Sequence, residues 1–204
     1  DPGCLFAGGG PVGVVAEPDL SSSDRHVITV DTESRMLPAD AAGAAVRASA
    51  ERLRKRLATG HVFKKIDSTL RGPLGAELDA LMRATTTATA VVCPAFPAQG
   101  RVVLDRLCLV NGVPVAETPT GRDPLFPVLS SSVVETLRPQ CDRALSWIPI
   151  DQLRAGVEPL AARIGRLAGT VIVADAETDA DLDALAEAAL AVVPTPLLAG
   201  SAGL

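Results

Sequence analysis

Aromatic residues are almost missing from this 204-residue chain: they make up 2% of it, with no tyrosine and a single tryptophan. Such a chain offers no stacking platform for nucleobases. Its net charge of −5 argues against a broad cationic face for a phosphate backbone, so no nucleic-acid partner is expected. Only two histidines (His26, His61) and four widely spaced cysteines (Cys4, Cys93, Cys108, Cys141) are present, with no Cys-x-x-Cys pair. No metal-ligand set follows from that spacing. No Ser/His/Asp or Cys/His pair stands out, which leaves nucleophilic catalysis without support. Gly8-Gly9-Gly10 is not followed by Gly-Lys-Ser/Thr, and no strand is followed by Gly-x-Gly-x-x-Gly; neither a phosphate loop nor a dinucleotide fingerprint is present, which disfavours an NAD-dependent oxidoreductase. No apolar run reaches membrane-spanning length and no signal peptide is visible, so no membrane partner is expected. Cysteines beside apolar runs read as small core residues in a reducing cytoplasm.

What is abundant is aliphatic. Hydrophobic residues make up 48% of the chain, enough for a core of Val, Leu, Ile and Ala. Apolar runs over Val12 to Val15, His26 to Val30, Val62 to Ile66, Thr89 to Cys93, Leu145 to Ile150, Thr170 to Ala174 and Leu197 to Ala199 read as strands. Between them, helical spacing runs over Pro38 to Leu57, Leu74 to Ala84, Ile150 to Leu167 (with Pro159 as a kink) and Asp179 to Val192. Asp1 to Ala7 reads as a short helix, and Ser130 to Ser132 caps another that runs to Leu137. Arg101 to Val110 and Val113 to Ala116 flank Asn111-Gly112, a hairpin signature. The alternation predicts an α/β fold: a doubly wound, mostly parallel sheet with helices on both faces and one inserted β-hairpin. No linker or repeat divides residues 1–204, so one domain is expected.

Polar residues concentrate where strands end. The run Lys64-Lys65-Ile66-Asp67-Ser68-Thr69-Leu70-Arg71-Gly72 sits between an apolar run and a helix. In open α/β sheets ligands bind beyond the carboxyl ends of strands, and helix N-termini offer N–H groups to anions. Such a cluster suits an anionic, hydroxyl-rich small molecule; alternatively Asp67 or Ser68 only caps the helix and the lysines are solvated. Three further loops follow strands, and they bring Arg35 and Arg101 alongside Arg71; Arg122 lies in a separate Gly/Pro-rich loop. A guanidinium fork can bind a carboxylate through two parallel hydrogen bonds; each arginine taken alone could equally be a surface ion pair. Asp67, Ser68, Thr69 and Gln99 can read hydroxyl groups. Asp175 and Glu177 are expected to belong to the cap region of the helix that follows them.

Seven segments, in order, carry a family likeness: VDTESRMLP (Val30 to Pro38), KKIDSTLRGPLGAELDAL (Lys64 to Leu81), CPAFPAQGR (Cys93 to Arg101), LVNGVPVAET (Leu109 to Thr118), GRDPLFPV (Gly121 to Val128), ADAETDADL (Ala174 to Leu182) and LLAGSAGL (Leu197 to Leu204). Together they resemble the N-terminal domain of the four-carbon acid sugar kinase family, which includes threonate, erythronate and 3-oxo-tetronate kinases. The resemblance implies a longer protein, whose N-terminal domain binds the acid sugar and whose C-terminal domain binds ATP with Mg²⁺. The reaction implied is transfer of the γ-phosphoryl group to a terminal hydroxyl. Family members begin with an acidic DDxTGAxD motif; Asp1 resembles its last aspartate, so the expectation is a domain truncated at its N-terminus, lacking one strand, with the ATP-binding half absent. By the same resemblance Arg71, Ser68 and Thr69 grip the acid, and Lys65 and Asp67 orient the loop or reach it. Asp67 is the one candidate base, the catalytic residue being otherwise unassigned. Gly72 belongs to the same motif, Gln99, Gly100 and Arg101 form a second wall, and Arg35 and Arg122 complete the substrate-binding set. The partners implied are the acid sugar and ATP, with a homo-oligomer open; a stand-alone, non-catalytic sugar-acid-binding module is the alternative.

Overall fold

The computed structural model describes residues 12–15, 27–57, 60–125 and 127–204. The helix expected over Asp1 to Ala7, the run Gly8 to Gly10, Cys4 and His26 lie outside these residues. Two short strands come first, β1 (Val12–Val15) and β2 (Val27–Val30), paired in parallel. Then follow α1 (Ala39–Leu57), β3 (Phe63–Lys65), α2 (Leu74–Ala84) and β4 (Ala90–Cys93). A three-stranded antiparallel meander is next, made of β5 (Arg101–Leu104), β6 (Leu107–Val110) and β7 (Val113–Pro114). The chain continues through α3 (Val133–Leu137), β8 (Leu145–Ile148), α4 (Ile150–Leu153), α5 (Val157–Arg166), β9 (Val171–Ala174), α6 (Asp179–Leu190) and β10 (Leu197–Gly200).

The centre is a five-stranded, all-parallel sheet in the order β3-β10-β4-β9-β8. From β3 to β4 the chain steps one way across this sheet, and from β8 through β9 to β10 it steps back. Right-handed crossovers therefore place α2 on one face and α5 and α6 on the other. The helix contacts agree: α1 packs on α2, and α5 on α6. Covered on both sides, β4 and β9 are buried at every residue, as near-continuous apolar runs in a parallel sheet must be. Leu78, Met82, Val91, Val92, Leu160, Ile164, Ile172, Leu182 and Leu185 are fully buried, each contributing roughly 1.5–3 kcal/mol relative to exposure. Cys93, Cys108 and Cys141 are buried free thiols; burial pushes Cys93 and Cys108 up to about 12, which leaves them inert. Among the described residues no helix is long and apolar enough to cross a membrane.

The fold differs from the sequence expectation in three places. β1 and β2 form their own two-stranded sheet and do not extend the central one, so among the described ladders β3 pairs with β10 alone. The run Arg101 to Val110 is two strands, not one, because the chain reverses at Asp105 and Arg106, both left-handed (φ 50° and 68°). The long helix expected over Ile150 to Leu167 is two helices. Its break falls at Gly156 (φ 112°), a conformation glycine tolerates. Pro159 sits in the first turn of α5, where its missing N–H has no helical partner to lose.

Candidate functional site

The carboxyl ends of β3, β10, β4 and β9 carry the loops that begin at Ile66, Ser201, Pro94 and Asp175. Asp67 stands at the first of these. Arg71 wraps back to it in a bidentate fork: its Nε donates to Asp67 Oδ2 and its Nη2 to Oδ1, both at 3.0 Å. The Thr69 backbone N–H (3.1 Å) and hydroxyl also donate to Oδ2. A carboxylate with donors at positions i+2 and i+4 closes the loop on itself, which is why Asp, Thr and Arg occur at this spacing. Burial pushes the Asp67 carboxyl up, but the Arg71 and Thr69 hydrogen bonds and the Arg71 and Arg35 charges outweigh it and hold it at about 2. Asp67 is therefore ionised at neutral pH with both oxygens occupied. That is the chemistry of a positioning group, a poor match to a base, whose proton affinity should lie near the working pH.

Further cations crowd the same acid. Arg35 Nη2 lies 3.7 Å from Asp67 Oδ1, and its side chain is 55% exposed. Lys65 donates to the Ile66 carbonyl at 2.8 Å; burial lowers its pKa, opposed by Asp67 and reinforced by Arg35 and Lys64. Gly72 takes φ 92°, and a Cβ there would stand 3.3 Å from Arg35 Cγ, so the glycine lets the two loops meet. Leu70, buried, is also left-handed (φ 63°), a conformation held by its surroundings.

A buried network beneath this cluster went unpredicted. Glu77 of α2, 6% exposed, pairs with Lys64 Nζ at 2.7 Å and accepts the Ser34 hydroxyl. Ser34 in turn bonds Thr32 at 2.6 Å. This chain of polar groups ties the loop holding Arg35 to β3 and α2. The sequence does carry a signal for it: Glu77 falls beside Leu74, Leu78 and Leu81 on the apolar stripe of an amphipathic helix, where an acid needs a buried partner.

The other sequence candidates divide. Thr69 is buried and its hydroxyl is engaged by Asp67, so it supports the loop from inside. Ser68 is half-buried, and its carbonyl accepts the Cys108 thiol at 3.3 Å; β6 thereby touches the Asp67 loop. Gln99 and Arg101 are joined, with Arg101 Nη1 donating to the Gln99 carbonyl at 3.2 Å and to its side-chain oxygen. Gly100 ends the short turn before β5 and accepts the Asn111 N–H at 2.7 Å. Arg101 Nε is buried with no acceptor in the structure. The charges of Asp67 and Arg101 both act on the Cys108 thiol of β6, in opposite directions. Arg122 is exposed and shares no ion pair with the other candidates among the described residues. Its neighbour Asp123, which the sequence did not single out, is the one whose charge reaches Arg71.

One physical premise is corrected. The N-terminus of α2 is not open to an anion: Gln140 Oε1, from the short 3-10 turn that follows α3, accepts the N–H groups of Gly75 (3.2 Å) and Ala76 (3.4 Å). The Leu74 N–H bonds Gly72 and that of Glu77 bonds Pro73. The cationic character of the site comes from side chains. Among the described residues no group of three His, Cys, Asp or Glu side chains converges, and the site's own acid is engaged by Arg71. Asp175, expected in a cap region, is fully buried and caps nothing; Thr178 caps α6 through a reciprocal box with Asp181, and Glu177 pairs with Arg154.

Comparison with known proteins gives a consistent picture. The family model described as "Sugar-binding N-terminal domain" matches residues 6–204. A D-threonate kinase of Salmonella typhimurium is 39% identical over 198 residues, which is 94% of this chain and 47% of that protein. A D-erythronate kinase of Heliobacterium modesticaldum is 36% identical over 169 residues, 80% of this chain and 38% of its own length. A crystal structure from Bordetella bronchiseptica, described as a domain-swapped dimer with bound citrate, superimposes with a TM-score of 0.75 at 40% identity, covering 88% of this chain and 44% of that one. The chain thus spans about half the length of the curated relatives it matches.

Proposed function

The chain belongs to the sugar-binding N-terminal domain family, and from that membership we propose that it is the acceptor-holding part of an ATP-dependent kinase acting on a four-carbon acid sugar of the threonate, erythronate or 3-oxo-tetronate type. The observation that carries this reading is the surplus of cations at the carboxyl edge of the sheet. Arg35, Lys65 and Arg71 surround the carboxylate of Asp67, with Asp123 as the further acid whose charge reaches Arg71, in a chain whose net charge is −5. Asp67 fixes one side of the Arg71 plane through Nε and Nη2, and in this reading Nη1 is the donor offered to a ligand oxygen. Arg101 Nε is a buried donor without an acceptor, and an acid oxygen would satisfy it. Asp67 and Thr69 orient Arg71; Ser68, Gln99 and the Gly72 and Gly100 backbones line the hydroxyl-bearing remainder.

Holding the acceptor this way serves phosphoryl transfer by positioning, the larger part of what that chemistry asks of a protein. ATP and Mg²⁺ belong, in this proposal, to the whole enzyme and outside the residues described here. The buried thiols fit a cytoplasmic enzyme, and the swapped dimer of the Bordetella protein makes a homo-oligomer the assembly to look for. The test is thermal unfolding of the chain with D-threonate and D-erythronate, in wild type and Arg71→Ala. A ligand at 100 times its Kd stabilises by about 2.7 kcal/mol, a rise of roughly 5–10 °C at this size. A rise with one acid, lost in Arg71→Ala, supports the assignment. No rise in the folded wild-type chain, or a rise that survives in the variant, refutes it.

A further inference from the structure

Asp175 follows β9, is 0% exposed, and takes no part in the acid site proposed above. Three donors converge on its carboxylate: the backbone N–H of Asp105 (2.9 Å), that of Arg106 (3.0 Å) and the indole N–H of Trp147 (3.0 Å). Asp105 and Arg106 are the central pair of the β5–β6 turn and both are left-handed; aspartate suits the first position, but Arg106 stands where such turns favour glycine. An arginine holds that shape where its surroundings fix it. The carboxylate supplies the fixing, since it accepts both N–H groups of the reversed pair. The Arg106 guanidinium also lies over the Trp147 ring, 4.6 Å from its centre. Beside it, Val103 and Ala176 exchange two backbone hydrogen bonds of 2.9 Å.

Two short, rigid paths lead from this clamp to the cations. Along β5 the chain runs from the turn back to Arg101, four residues away. Along β6 it runs to Cys108, whose thiol donates to the carbonyl of Ser68. We infer that Asp175 is a positioning residue for the acid site: by clamping the Asp105–Arg106 turn to the end of β9 it sets where Arg101 and the Ser68 loop stand relative to Arg71. This inference rests on the acid-site reading. A purely structural role would lower stability and leave the site's affinity alone.

The experiment is a double-mutant cycle on binding. D-threonate is titrated into the wild-type chain and into the variants Asp175→Asn, Arg101→Ala and the double variant. Leu160→Ala, in the core of α5, serves as a variant that loses stability without touching the meander. Asparagine keeps one acceptor oxygen but turns an N–H₂ toward donors, so the clamp loosens while the core stays apolar. Trp147 is the only tryptophan, so its emission reports the clamp directly and should move in Asp175→Asn and hold in Leu160→Ala. The expected result is a Kd raised about tenfold by Asp175→Asn, and raised by less than about twofold when the same change is made in the Arg101→Ala background, the non-additivity of residues that act as one. Leu160→Ala should melt earlier with its Kd unchanged. A Kd for Asp175→Asn within about twofold of wild type, or losses that multiply in the double variant, overturns the inference and leaves the acid site standing. Failure of the wild-type chain to bind D-threonate or D-erythronate overturns the acid-site reading, and the positioning role falls with it.

Discussion

Replacing Asp67 by asparagine isolates the electrostatic part of the site, because the side chain keeps its shape and loses its charge. In the folded chain the carboxyl is held at about 2, against an ordinary value of 3.8. A group depressed in this way stabilises the fold at every pH above its unfolded value and loses that contribution as pH falls through the folded one. The difference corresponds to about 2 kcal/mol at neutral pH. Little further penalty is expected from the orphaned Arg71, whose side chain is 26% exposed and can turn toward water. Thermal unfolding followed by circular dichroism should therefore place Asp67→Asn about 4–8 °C below wild type at pH 7. The gap should narrow as the acid is titrated, with about half of the free energy gone at pH 3 and the remainder going toward pH 2. The variant should also lose affinity for the sugar acid, since Arg71 is no longer held in its plane. A gap that stays constant from pH 7 to pH 3 would refute the reasoning, because the stability would then come from hydrogen bonds that asparagine also makes. A gap below about 1 °C at pH 7 would refute it more simply, by showing the fork to be an ordinary surface pair.

Two further perturbations test the frame around the site. Glu77→Gln leaves the Lys64 ammonium, 14% exposed, without its counter-charge; breaking a buried pair from one side costs about 3 kcal/mol, and urea unfolding should read a stability loss of that order, while a loss under about 0.5 kcal/mol would mean that the pair is hydrated. Gln140→Ala uncovers the N–H groups of Gly75 and Ala76 and should cost about 1 kcal/mol, as loss of a helix cap does; an unchanged melting temperature would mean that water replaces the amide without loss.

The elements that the sequence announces are those whose cause lies within a few residues. Val91 and Val92 lie in a strand because an unbroken apolar run fits a parallel sheet covered on both faces, and Leu74, Leu78, Leu81 and Met82 are inward because they recur at helical spacing. The Asp67–Arg71 fork is equally local, spanning four residues, which explains why the motif Lys65 to Gly72 reads from the sequence as one polar cluster after a strand. What escaped has its cause at a distance. Gln140 closes the N-terminus of α2 from 65 residues away, so a helix start that looks open to an anion from its own sequence is shut. Glu77 meets Ser34 across 43 residues. The β5–β6 turn lacks the glycine that usually follows aspartate in such a reversal, and the group that holds it is a carboxylate 70 residues downstream. Read locally, Asp105-Arg106 continues a strand and Asp175 belongs to a helix cap, and neither reading has a flaw visible within its own window. The remaining trace is compositional: an acid directly after the fully buried run Val171–Ala174 must find donors inside the protein. A turn that lacks glycine and a buried acid that lacks a cation are two halves of one arrangement, and asking where each finds its partner is how the pair can be found in the sequence of a relative.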